Sequence, residues 1–140
     1  MGIGTSKIND IKVVNFEDVK LVKKNNYVLI NTLQRTQQDC LIENTIPIDN
    51  EEIVVENAIN NKQTIIIYGV NSNDYTIYKK YNQILGLGHM NTYIYIGGLF
   101  EWLLLQDIYG ANNFKTTKNI LDHLKYKPNT TLDIYLLKIE

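Results

Sequence analysis

The sequence predicts a single α/β domain whose mostly parallel central sheet is covered by helices on both faces. Short apolar runs alternate with stretches of helical periodicity along the 140 residues. The clearest run, residues 64–68 (TIIIY), is β-branched and apolar on both faces, which is typical of a central strand. Residues 27–30 (YVLI) form a second buried-strand pattern. Because parallel sheets bind ligands beyond the carboxyl ends of their strands, the loop after residue 68 is the first candidate site.

Each element of this fold has a local signal. Asn15 precedes a helical period that begins at Phe16, and either Asp49 or Asn50 is placed to cap a helix that runs through Asn60. The predicted helices are residues 16–22, 50–60, 74–85, 99–108 and 115–124. The predicted strands are residues 11–14, 27–30, 45–48, 64–68, 92–96 and 131–139.

Composition argues against several classes of function. Lys and Arg number 14 against 15 Asp and Glu, so nothing indicates the basic surface that nucleic acids select. The single cysteine, Cys40, allows neither an internal disulfide nor a multi-cysteine zinc site, and it favours intracellular residence. The two histidines, His89 and His123, are widely separated in the sequence and do not indicate a metal site. We therefore expect no metal, no cofactor and no nucleic-acid partner.

Segments between residues 27 and 109 resemble the rhodanese-like family in their order and spacing. Residues 66–69 (IIYG) match the end of the strand that leads to the family's catalytic cysteine. Residues 93–102 (YIYIGGLFEW) match a strand followed by Gly-Gly-x-x-x-Trp, which is the most specific part of the resemblance. Upstream, Ile46-Pro47 remains from a longer family segment, whereas Asn31 and Leu33 stand where the family has Asp and Arg.

The resemblance places Gly69 in the position of the catalytic cysteine, in a loop that reads Gly69, Val70, Asn71, Ser72, Asn73 and Asp74. Glycine has no side chain, so covalent catalysis of the family's type is removed. A nucleophile at Ser72 would need a nearby base, which the sequence does not place there. Backbone N–H groups can cradle an anion without side chains, but the loop has no Lys or Arg. The simpler interpretation makes Ser72, Asn73 and Asp74 turn and cap residues.

Two other features have a structural and a functional interpretation. Cys40, beside Leu41 and Ile42, is interpreted as a small, partly buried hydrophobe, with a relocated sulfur-carrying role as the alternative. Trp102 and its neighbouring leucines are interpreted as core rather than as a partner-binding groove. These leucines are Leu99, Leu103, Leu104 and Leu105.

The chain begins with a candidate lipidation signal. Met1-Gly2 is followed by Ser6 and Lys7, which fits the pattern for N-myristoylation of Gly2 after Met1 is removed. Residues 1–10 have little periodicity, so we expect a flexible arm that carries the lipid. The signal predicts a cytoplasmic protein that is held peripherally at a membrane.

The sequence thus predicts an N-terminal arm (1–10), a rhodanese-like domain (11–114) and a C-terminal helix and strand (115–140) that elaborate the domain. The predicted function is that of a catalytically inactive module, a pseudoenzyme, which binds an unidentified protein partner and is tethered to a membrane through Gly2. One alternative is a sulfurtransferase- or phosphatase-related enzyme that uses Cys40 or Ser72. Another is a structural or assembly component of a larger complex.

Overall fold

A computed structural model of the chain describes residues 11–132. Its centre is a four-stranded sheet in the order β1-β4-β3-β2, in which every neighbouring pair is parallel. The predicted parallel sheet is therefore confirmed. The strands are β1 (Val13–Val14), β2 (Val28–Asn31), β3 (Ile65–Tyr68) and β4 (Thr92–Tyr95).

Within residues 11–132, four α-helices and three short 3₁₀ turns connect and cover the strands. The helices are α1 (Phe16–Lys20), α2 (Glu51–Asn60), α3 (Thr76–Gly86) and α4 (Gly98–Tyr109). The 3₁₀ turns are Arg35–Gln37, Ile48–Asn50 and His123–Tyr126.

The two faces of the sheet carry separate hydrophobic cores because successive strand residues point in opposite directions. On one face, Leu29 and Ile66 pack with residues of α1 and α4, including Trp102 and Leu103. On the other face, the buried residues of α2 and α3 pack against the alternate strand positions, which include Ile65 and Ile67. All four residues of β3 are buried, as expected for a central strand. Helices on both faces are thus confirmed.

The two predicted helix caps differ in their outcome. Asn15 caps α1 through its side-chain oxygen, which accepts hydrogen bonds from the backbone N–H groups of Glu17 (2.9 Å) and Asp18 (3.2 Å). At α2, Asn50 occupies the N-cap position but makes no side-chain cap. The carboxylate of Asp49 instead pairs with Arg35 at 3.0 Å. The prediction that Asp49 or Asn50 caps α2 with its side chain is therefore wrong, because the chain enters this helix through a 3₁₀ turn.

The predicted helix over residues 115–124 is also wrong. Thr116 forms an antiparallel bridge with Ile42, and the flanking backbone groups complete the pairing. The N–H of Glu43 donates to the carbonyl of Lys115 (3.0 Å), and the N–H of Thr117 donates to the carbonyl of Leu41 (2.8 Å). Long-range pairing thus holds this segment extended at its start. Except for residues 131 and 132, which are not in a strand, the predicted strand over 131–139 lies outside the described residues.

Within residues 11–132, no helix is long and apolar enough to cross a membrane. The same residues contain no cluster of three or more His, Cys, Asp or Glu side chains that is arranged to hold a metal ion.

Candidate functional site

The loop of residues 69–74 lies at the carboxyl edge of the sheet, between the central strand β3 and helix α3. The strand register aligns Tyr68 with Asn31 of β2 and with Tyr95 of β4. The segments that leave these two neighbouring strands therefore flank the loop on both sides. This edge is the usual ligand-binding edge of a parallel α/β sheet.

Gly69 has no room for a side chain. A Cβ atom built at this position would lie 2.8 Å from Cγ of Asp74 and 2.9 Å from Cγ2 of Ile77, and closer still to Oδ2 of Asp74. Real Cβ atoms do not approach other heavy atoms this closely. The carboxylate of Asp74 thus fills the space into which a nucleophilic side chain at position 69 would project.

The Asp74 carboxylate is held there by neighbouring donors. Its Oδ2 accepts a hydrogen bond from the backbone N–H of Val70 (2.9 Å) and lies 3.5 Å from the hydroxyl of Thr32. Its Oδ1 accepts from the backbone N–H of Thr76 (3.1 Å) and from the Thr76 hydroxyl. Asp74 therefore accepts a hydrogen bond from the first N–H of α3, although Tyr75 and not Asp74 holds the N-cap position, which makes no side-chain cap. The backbone N–H groups of Val70 and Thr76, which could otherwise bind an external anion, thus bind the carboxylate of Asp74.

Asn71 forms hydrogen bonds both within the loop and with the C-terminal segment. Its side-chain oxygen accepts a hydrogen bond from the N–H of Asn73 (2.9 Å), and its carbonyl accepts from the N–H of Asp74 (3.2 Å). Its side-chain nitrogen donates to the carbonyl of Tyr126 (2.9 Å), 55 residues further along the chain. Asn71 therefore attaches the C-terminal segment to the loop.

The turn between β4 and α4 contacts the loop on the side of β4. Gly98 has a φ of +68°, and a Cβ atom there would lie 2.6 Å from the carbonyl oxygen of Gly69. The N–H groups of Leu99 and Phe100 donate to the carbonyls of Gly69 (3.0 Å) and Val70 (2.9 Å). Only glycine combines this left-handed backbone with so close an approach. No local pattern in the sequence predicts this contact with the loop.

Solved structures resemble the fold of this chain, although no family model matches the chain and no curated protein is significantly similar to it. The Alr3790 protein from Anabaena sp. aligns with a TM-score of 0.53 and 16% identity over 90% of this chain and 91% of that one. The As-Sb reductase from Leishmania major aligns with a TM-score of 0.58 and 13% identity over 93% and 99%. The BH2092 protein from Bacillus halodurans aligns with a TM-score of 0.54 and 16% identity over 76% and 79%.

Overlays that span nearly the whole of two of these chains decide the fold class. The fold is rhodanese-like. A separate structure of the Rhodanese_3 like domain from the same Anabaena protein aligns over 56% of this chain with a TM-score of 0.43. At these identities the similarity concerns the fold, and the chemistry of residues 69–74, the rhodanese-like loop, has to be judged from those residues themselves.

At the end of β2, the residues that replace the family's Asp and Arg have structural roles. Asn31 is buried, and its side-chain oxygen accepts hydrogen bonds from the N–H of Leu33 (3.0 Å) and from Nε2 of Gln38 (2.7 Å). Leu33 is itself buried in the core. Neither residue offers a charged group to the rhodanese-like loop.

Ser72 has no base beside it among the described residues. Its side chain is exposed and forms no hydrogen bond with His89 or His123 in the part of the chain that is described. His89 precedes β4, so it lies towards the opposite edge of the sheet, where its Nε2 pairs with the carbonyl of Gln63 at 2.7 Å. The structure therefore does not bring together the parts of a serine nucleophile.

Cys40 is fully buried, rather than partly buried as predicted. Its Sγ lies 3.5 Å from the carbonyl oxygen of Lys118. Burial raises the pKa of the Cys40 thiol above its ordinary value, and the negative charge of Asp39 adds to the rise. Because the thiolate is the reactive form, this environment makes Cys40 an inert cysteine.

We therefore predict that native Cys40 resists alkylation. Iodoacetamide at pH 8 should label the thiol at least about tenfold more slowly in buffer than in denaturing urea, because burial limits both access and ionisation. Mass spectrometry of quenched samples measures the labelled fraction. Equal labelling rates in the two conditions would contradict the prediction, and a C40S variant controls for labelling at other side chains.

An open cleft of about 570 Å³ lies beside the rhodanese-like loop. The sequence indicated no cation at this loop, yet Lys125 and Lys127 line the cleft because Asn71 holds the neighbouring Tyr126. No local sequence pattern predicts the contact between Asn71 and Tyr126. The other lining residues are Thr32, Gln34, Gln37, Val70, Asn71, Asn73, Asp74, Tyr75, Thr76, Asn129 and Thr131.

Proposed function

We propose that this chain is a non-catalytic rhodanese-like module that acts by binding another protein. The observation that carries the proposal is the coupled arrangement of Gly69 and Asp74. The position of the nucleophile has no side chain, and a carboxylate fills the space in front of it. Sulfur or phosphoryl transfer of the family's type needs a thiolate facing an anion site, and both parts are replaced here.

The framework around the loop supports the same proposal. The Gly97-Gly98 turn keeps its contacts with the loop, and the indole N–H of Trp102 donates to the carbonyl of Lys115 at 3.0 Å. Trp102 also packs edge-on against Tyr95 and Phe114. Elements that hold the loop in shape are thus present while its reactive group is absent. We infer that the shape of this surface, rather than chemistry, is what the protein uses.

Sulfur transfer tests the proposal directly. Purified protein with thiosulfate and cyanide should form thiocyanate no faster than buffer alone, and the C40S variant should give the same result, because neither contains an exposed thiolate. An active rhodanese assayed in parallel shows that the conditions permit turnover. Thiocyanate production by the wild-type chain above the buffer rate would refute the proposal, and its loss in the C40S variant would assign the activity to Cys40.

We also propose that the module is tethered to a membrane through myristoylated Gly2. The support is the Met-Gly-x-x-x-Ser-Lys sequence at residues 1–7, which lies outside the described residues. A single acyl chain binds bilayers only weakly, about 10⁴ M⁻¹, so basic side chains would have to assist it. Lys12 donates to the carbonyl of Met90 and Lys20 lies over the ring of Phe114, whereas the exposed Lys23 and Lys24 have no such contact within residues 11–132.

Co-expression with an N-myristoyltransferase and a labelled acyl donor should add one label to the wild-type chain and none to a Gly2→Ala variant, which lacks the required N-terminal glycine. Intact-mass measurement reads the modification. If the wild-type chain stays unlabelled while a control substrate is labelled in the same reaction, the proposed membrane tether is refuted. The binding proposal does not depend on this outcome.

A further inference from the structure

We infer that the cleft beside residues 69–74 is a docking site for an acidic segment of a partner protein. The inference rests on the proposed protein-binding function and assigns it a surface and a partner chemistry. Among residues 11–132, the charged residues that line the cleft are two lysines, Lys125 and Lys127, and one aspartate, Asp74. The cleft is therefore locally positive, although the chain as a whole carries a net charge of −1.

Asp74 does not form an ion pair with Lys125 or Lys127. Both oxygens of the Asp74 carboxylate accept hydrogen bonds from Val70 and Thr76, so its charge is stabilised within the loop. Within residues 11–132, Lys125 lies over the ring of Tyr126, 5.1 Å from its centroid, but neither Lys125 nor Lys127 forms an ion pair, and both are exposed. Their ammonium groups are thus available to carboxylates that a partner brings.

The same geometry disfavours a small oxyanion as the ligand. Such an ion would need the backbone donors at the floor of the loop, but Asp74 occupies those of Val70 and Thr76 and would repel the ion. An extended acidic peptide segment does not need the backbone donors of Val70 and Thr76. Its carboxylates can reach Lys125 and Lys127 at the mouth of the cleft, while its backbone lies across the polar wall.

Neutral side chains at the cleft also suit a peptide. Tyr75 is 77% exposed at the beginning of α3 and lines the cleft. Exposed tyrosines supply much of the binding energy at protein interfaces because they bury a large rigid ring. The side-chain amides of Asn73 and Asn129 form no hydrogen bond within the described part of the chain, so their donors and acceptors can pair with a peptide backbone.

The test uses the full-length ¹⁵N-labelled chain and a capped octaglutamate peptide as the probe. At low ionic strength, chemical-shift changes should be confined to amides of residues 32–37, 70–76 and 124–131. The K125Q/K127Q variant should bind roughly tenfold more weakly, because two surface charge pairs are lost. The K23Q/K24Q variant is the matched control, since it removes the same charge from exposed lysines elsewhere and should keep wild-type affinity. Dispersed spectra of both variants establish that they are folded.

The inference would be overturned by absence of octaglutamate binding, by equal loss of affinity in both double variants, or by shifts at the cleft produced equally by octaglutamate and octalysine. Inorganic phosphate that saturates the same amides with affinity equal to that of octaglutamate would also overturn it, because it would identify a small-oxyanion site. These outcomes are distinct from failure of the proposed function, which the thiocyanate assay reports. A chain that neither transfers sulfur nor binds octaglutamate would remain a non-catalytic module whose partner docks elsewhere.

Discussion

Replacing Gly69 with cysteine is expected to destabilise the folded chain by about 2–3 kcal/mol, the usual cost of overpacking a filled site. The new Cβ and Sγ atoms would overlap the carboxylate of Asp74 and the methyl group of Ile77. Displacing the carboxylate would also break its hydrogen bond with the N–H of Val70. Urea-induced unfolding, followed by circular dichroism, measures the free energy of unfolding.

The cause of this destabilisation can be isolated with a double-mutant cycle. Asp74→Ala alone should cost about 1 kcal/mol because the backbone N–H groups of Val70 and Thr76 lose their hydrogen bonds to the carboxylate. In the presence of D74A, the G69C substitution should become less costly by at least about 1 kcal/mol, because the two side chains no longer compete for one space. A Cβ atom added at Gly86 would meet no other atom within 4 Å, so G86C is the matched control and should be additive with D74A.

Additivity of G69C with D74A would show that the carboxylate does not fill the nucleophile's position. A G69C variant as stable as G86C would have the same meaning. Either result would remove the observation on which the non-catalytic proposal depends.

Gly98→Ala is expected to have the second large effect, a loss of about 3 kcal/mol or more of unfolding free energy. A left-handed backbone costs a non-glycine residue about 1–2 kcal/mol. The remainder comes from the added Cβ, which would lie 2.6 Å from the carbonyl oxygen of Gly69, a backbone atom that moves only if the loop moves. That movement would weaken the hydrogen bonds from Leu99 and Phe100 to the loop.

Gly88 offers a matched control for the Gly98 prediction. It also has a positive φ, +88°, but nothing lies within 4 Å of its Cβ position. Gly88→Ala should therefore cost only the backbone part, about 1–2 kcal/mol. Hydrogen exchange at the amides of Leu99 and Phe100 should accelerate in G98A and not in G88A. Equal costs for the two variants would mean that the close contact between Gly98 and the loop does not contribute to stability.

The four strands of the sheet and most helices were predictable because their signals are local. The strand predicted over residues 45–48 was wrong, since Thr45 makes only an isolated bridge with Leu29 and a 3₁₀ turn begins at Ile48. The short apolar runs of β2 and β3, and the helical period of α3, follow from which neighbouring residues are apolar. The cap at Asn15 is local too, since its partners are two and three residues away. Local signals failed where the chain has a distant partner, as at residues 115–124, because pairing with residues 41–43 replaces helical hydrogen bonds.

By itself, the sequence determined that this chain has an α/β fold resembling the rhodanese-like family and that Gly69 provides no nucleophile. Only the tertiary structure decided that Asp74 fills the vacated space and that Lys125 and Lys127 line the same cleft. The reason is physical: a missing side chain is a property of one residue, whereas occupied space depends on packing. The contact between Asn71 and Tyr126 joins residues 55 positions apart, and no periodicity along the chain encodes it.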